Sequence, residues 1–98
     1  MSETIDDLTI SFFEDGVETV KQLDKHVLSK GAWTTILYLY QEWHNPSQAY
    51  GADKYSIRRY QKRNDQYWQK SKFNISSVDQ AKKIIEVLSG WLEDGDKK

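Results

Sequence analysis

Residues 54–88, KYSIRRYQKRNDQYWQKSKFNISSVDQAKKIIEVL, change period midway, and that change decides the fold. In "KYSIRRYQKR" (54–63) and "YWQKSKFNI" (67–75), aromatic and aliphatic residues alternate with polar ones, the pattern of strands lying on a core. "NDQ" between them reads as a tight reversal. From Ser76 onward the step changes. Val78, Ala81, Ile84, Ile85, Leu88, Trp91 and Leu92 recur every three or four residues, which predicts a helix. Ser76 or Ser77 is its candidate N-cap, and Asp79 lies in the first turn, where the helix dipole favours an acid.

Outward from this stretch, "WTTILYLYQEW" (33–43) is a further strand by its β-branched and aromatic content. "SKGAW" (29–33) is a turn, and "HNPSQAYGAD" (44–53) is a loop carrying the only proline. "VETVKQLDKHVLS" (17–29) fits two templates: Val17, Val20, Leu23 and Val27 at helical spacing, or Leu23, Lys25 and Val27 in alternation. Periodicity leaves it open. Residues 1–15 read as an acidic flexible leader, 16–93 as the domain and 94–98 as a polar tail. The expected fold is α+β: a curved antiparallel sheet of about four strands with a C-terminal helix packed on one face. The apolar arc of that helix is broader than one sheet face covers, so Ile84, Leu88 and Trp91 are candidate contacts of a helix-mediated homodimer.

Composition narrows the function. The chain has 98 residues, 38% hydrophobic and 30% charged, and no cysteine. That is one small domain without disulfides, thiolate metal sites or thiol catalysis. The N-terminus has acids where a signal peptide needs bases, and no run approaches the length of a membrane helix. The expected setting is cytoplasmic, nucleoid-associated if bacterial. His26 and His44 lie far apart in sequence, and Glu42 with His44 makes only half of a metal site. Phosphate-cradling glycine loops and clustered carboxylates are missing too. The chain is therefore read as a non-enzyme with no metal or cofactor.

A net charge of −1 hides an asymmetry. Residues 1–24 hold seven acids against Lys21, whereas residues 54–72 hold seven bases against Asp65. Concentrated like charge favours an anionic partner, although many charge runs are merely solvated faces. Strand alternation puts Trp33, Leu37, Leu39, Tyr55, Ile57, Phe73 and Ile75 toward the helix. Tyr38, Tyr40, Lys54, Arg58, Tyr60, Lys62, Trp68, Lys70 and Lys72 then fall on the other, helix-free side. Cations follow a phosphate backbone and flat rings stack on unpaired bases. With Arg59 added, these ten are the candidate nucleic-acid-binding residues, and single-stranded DNA (or RNA) read with little sequence preference is the expected ligand. The alternative is a protein–protein module whose exposed sheet or helix recognises an acidic partner.

"KYSIRRYQKRN…KSKFNISSVDQAKKIIEVL" resembles the single-stranded-DNA-binding domain of the positive cofactor four family of transcriptional coactivators, which has bacterial and phage members. Ile57, Arg58 and Tyr60 match its first motif strand, Lys72, Phe73 and Ile75 the next, and Ser77 to Leu88 its terminal helix. The likeness spans roughly residues 20–92. It implies a four-stranded sheet, a homodimer joined through the terminal helices, single-stranded DNA along the strand residues, a role in transcription or DNA maintenance, and a strand for residues 17–29.

Overall fold

The computed structural model of the chain describes residues 4–96, and the outermost residues of the expected leader and tail lie outside them. Six strands and one long helix follow in order: β1 (Phe12–Glu14), β2 (Val17–Ser29), β3 (Trp33–His44), β4 (Ala49–Tyr50), β5 (Lys54–Arg63), β6 (Gln66–Ile75) and α1 (Val78–Asp96). The ambiguous segment is a strand. β1, β2, β3, β5 and β6 form one curled antiparallel sheet in that order, and β4 pairs with the end of β3. Four of the strands are long, and the sheet as a whole has more strands than the four expected. β1 and β4 are short additions from the leader and from the loop after β3. Among the described residues no helix is long and apolar enough to cross a membrane.

Local chemistry explains the joints. Asp15 and Gly16 join β1 to β2, and Asn64 and Asp65 join β5 to β6, all with positive φ. Two-residue hairpin loops of this type match the strand twist, and Asn, Asp and Gly adopt that backbone at least cost. Ser77 is the N-cap of α1: its Oγ accepts from the Gln80 backbone N–H at 3.1 Å, while Gln80 Oε1 accepts from the Ser76 N–H at 3.1 Å. The pair closes a variant of the capping box.

The core lies on the side of the sheet away from α1. Thr34, Ile36, Tyr38 and Tyr40 of β3 are buried there, with Tyr60 of β5 and Tyr67 of β6. What covers them is the leader. Leu8 and Ile10 are buried against these tyrosines, and Ile5 packs beside them. Lys25 Nζ donates to the carbonyls of Ile5 (2.8 Å), Asp6 (3.2 Å) and Leu8 (2.7 Å), and Gln22 Oε1 accepts from Thr9 Oγ1 (2.7 Å) and the Ile10 N–H (3.2 Å). Residues 5–10 of the expected leader thus lie against the sheet. Three apolar residues at positions 5, 8 and 10 are enough to seat it once backbone partners are provided.

On the opposite side α1 approaches the sheet where β6 ends, at its edge strand. Its first half and Leu37, Tyr55, Ile57 and Ile75 border an apolar cleft of about 420 Å³. Farther on, Ile85, Leu88, Trp91 and Leu92 are exposed, and Phe73, expected beneath the helix, is exposed as well. The described chain is consequently flat and long, 55 × 40 × 17 Å.

Candidate nucleic-acid interface

Strand register decides where the cations of β5 and β6 go. Arg58 stands opposite Ile36 of β3 and Lys72 of β6, and Ser56 opposite Tyr38 and Asn74. Lys54 and Lys62, four residues either side of Arg58, share that side of the strand. Seven of the ten candidate residues therefore lie on the helix-free side: Tyr38, Tyr40, Lys54, Arg58, Tyr60, Lys62 and Lys72. The other three do not.

A bulge in β6 causes the split. Arg59 pairs with Ser71 but Tyr60 pairs with Gln69, so Lys70 is the extra residue. Beyond a bulge the strand exchanges its two sides. Gln69 and Tyr67 take the core side, and Trp68 passes to the α1 side in one row with Gln61 and Trp33. Lys70 borders a pocket there with Arg63, Asn64 and Trp68. Arg59 is on the same side, its guanidinium 4.6 Å from the Trp33 ring centroid. Trp33, expected in the core, is 42% exposed.

Of the cations on the helix-free side, Arg58 is positioned by neutral partners. Arg58 Nε donates to Ser56 Oγ and its terminal nitrogen to Gln69 Oε1, each at 3.1 Å, while Ser56 Oγ donates to Asn74 Oδ1 at 2.7 Å. That fixes the guanidinium, and none of the ion pairs seen among the described residues includes Arg58. Lys54 differs, because Glu42 takes its ammonium in an ion pair, and that hydrogen bond raises the Lys54 pKa. Lys62 lies 5.8 Å from the Tyr67 ring centroid and borders a cleft with Lys30 and Asp6.

The tyrosines on this side offer no free ring. Tyr38 is fully buried, with its hydroxyl 2.9 Å from that of Tyr60. Burial pushes the Tyr38 phenol far above its ordinary range and raises that of Tyr40, since neither can ionise in water. This corrects the expectation that Tyr38, Tyr40 and Tyr60 are stacking surfaces: the leader's Leu8 and Ile10 occupy the ground a base would need. The signal was present in the apolar spacing of "IDDLTI" but was masked by its acids. Of the candidate dimer contacts, Ile84 is half-buried at the cleft, whereas Leu88 and Trp91 are exposed along α1.

Compared with family models, with curated proteins and with solved structures, the chain matches none.

Proposed function

We propose that this chain binds single-stranded nucleic acid with little sequence preference, as a homodimer joined through α1. One observation carries the reading: Arg58, Lys62 and Lys72 share one side of the β5–β6 hairpin, whose outer strand is the free edge of the sheet. A phosphate backbone running along that edge meets positive charge continuously. The surface is curled, and a flexible single strand follows such a curve. A duplex, with a persistence length of about 150 base pairs, touches it at few points. The resemblance of residues 54–88 to the positive cofactor four family points to a single-stranded ligand as well.

The homodimer rests on the apolar stripe of Ile85, Leu88, Trp91 and Leu92, which water meets in a single copy. A two-fold pairing of α1 with the cleft and helix of a second copy covers it. Sedimentation equilibrium returning one copy at every concentration removes this part of the proposal.

The ligand is tested by titrating labelled oligo(dT), a duplex of equal length and the matching RNA at two salt concentrations. Submicromolar binding of oligo(dT) that weakens with salt is expected, and replacing Arg58 and Lys72 by Gln lowers the log–log salt slope by about 0.7 per cation. No binding of any of the three at low salt overturns the reading.

A further inference from the structure

The α1 side of the sheet is not apolar along its whole length. At the end remote from the helix, Trp33, Gln61 and Trp68 form one cross-strand row on β3, β5 and β6. Both indoles are open to water, Trp33 at 42% and Trp68 at 39%. Arg59 stacks on Trp33, and Arg63, Asn64 and Lys70 surround Trp68 in a pocket whose lining holds no carboxylate. Among the described residues no ring or cation contact engages Trp68.

Two exposed indoles among three cations carry two unmet demands. The rings lose free energy by facing water, and the like charges repel. An apolar protein partner would meet the first demand while stripping water from the cations. A carboxylate would meet the second and leave the indoles bare. A nucleotide meets both, because its flat base stacks on the indole and its phosphate sits between the cations.

The route is short. Lys72 lies on one side of the free strand β6 and Trp68 on the other, with Lys70 at the bulge between them. Four residues of strand span about 13 Å, the reach of a few nucleotides. Resting on the function proposed above, we infer that the single strand passes around the β6 edge. Its phosphates lie on Arg58, Lys62 and Lys72, and its bases stack on Trp68 and on the Trp33–Arg59 pair. The bulge is what makes the site two-sided, since without it Trp68 would face the core.

The test compares oligo(dT) with an abasic strand of the same length, using wild type, a W33L/W68L double variant and an R58Q/K72Q double variant. Leucine keeps apolar bulk at both positions but has no flat ring. W33L/W68L is expected to lose at least about tenfold in affinity for oligo(dT) while binding the abasic strand as wild type does. R58Q/K72Q weakens both strands. The same comparison with W33Y/W68Y, which restores flat rings, recovers most of the oligo(dT) affinity. Equal losses on the two strands, no loss on either, or a change in oligomeric state in place of a change in affinity overturns the stacking site and leaves the phosphate strip standing. Wild type binding neither strand sinks the functional reading itself, and this inference with it.

Discussion

Alternate residues of β3 meet opposite fates. Thr34, Ile36, Tyr38 and Tyr40 are buried, whereas Trp33 is exposed and Leu37 and Leu39 are only half-buried. The buried set faces away from α1. It is closed by a leader of a few residues, held down by Lys25 and Gln22 through backbone carbonyls and an amide. The helix, with a far larger apolar face, borders the other side only around Leu37, Tyr55, Ile57 and Ile75. Covering a sheet depends on how closely an element is tied to it, and hydrogen-bonded extended chain lies nearer than a helix standing on its own side chains.

That contrast is open to attack at its strongest point. Leu8→Ala is expected to cost about 2–5 kcal/mol in urea melts, because it empties a site among buried tyrosines. Leu92→Ala, on the exposed half of α1, is expected to cost no more than about 0.5 kcal/mol within one copy. A larger loss that grows with protein concentration reports self-association through α1. Equal, concentration-independent costs at the two positions would break the assignment of the core to the leader side.

A smaller effect sharpens the comparison through pH. Burial raises the Tyr38 phenol's pKa above its ordinary 10.0 on folding. A raised value means that the folded state prefers the neutral form. This stabilisation is complete below about pH 10 and is lost as pH climbs above the unfolded value toward the folded one. Tyr38→Phe is expected to cost about 1–3 kcal/mol at neutral pH, since it leaves the Tyr60 hydroxyl without its partner. In the same variant, stability measured from pH 9 to 11 falls less steeply than in wild type. An identical alkaline slope would mean that Tyr38 is open to water.

The smallest change belongs to α1. Gly90 sits mid-helix, and a Cβ there meets nothing within 4 Å. Gly90→Ala is expected to raise stability by at most about 1 kcal/mol, seen as a modest rise in Tm. A loss would show that Gly90 lies at a close contact between copies.

Apart from residues 17–29, whose period left strand and helix open, the long strands and the helix were legible from the residues because each is a local matter of period, capping and turn chemistry. The β5–β6 hairpin follows from its Asn-Asp turn, and α1 from its apolar steps and its serine N-cap candidates. So does the common side of Lys54, Arg58 and Lys62, since alternation within one unbroken strand carries no error forward. Trp68 was misassigned because one extra residue at Lys70 inverts everything beyond it, and a bulge leaves no mark in composition. Which side of the sheet became core was beyond local reading as well. β3 is apolar on both sides, and the choice fell to three leader residues and a lysine remote from them in sequence. Period and charge depend on neighbours along the chain, whereas burial depends on what arrives from elsewhere, and only the folded chain brings those parts together.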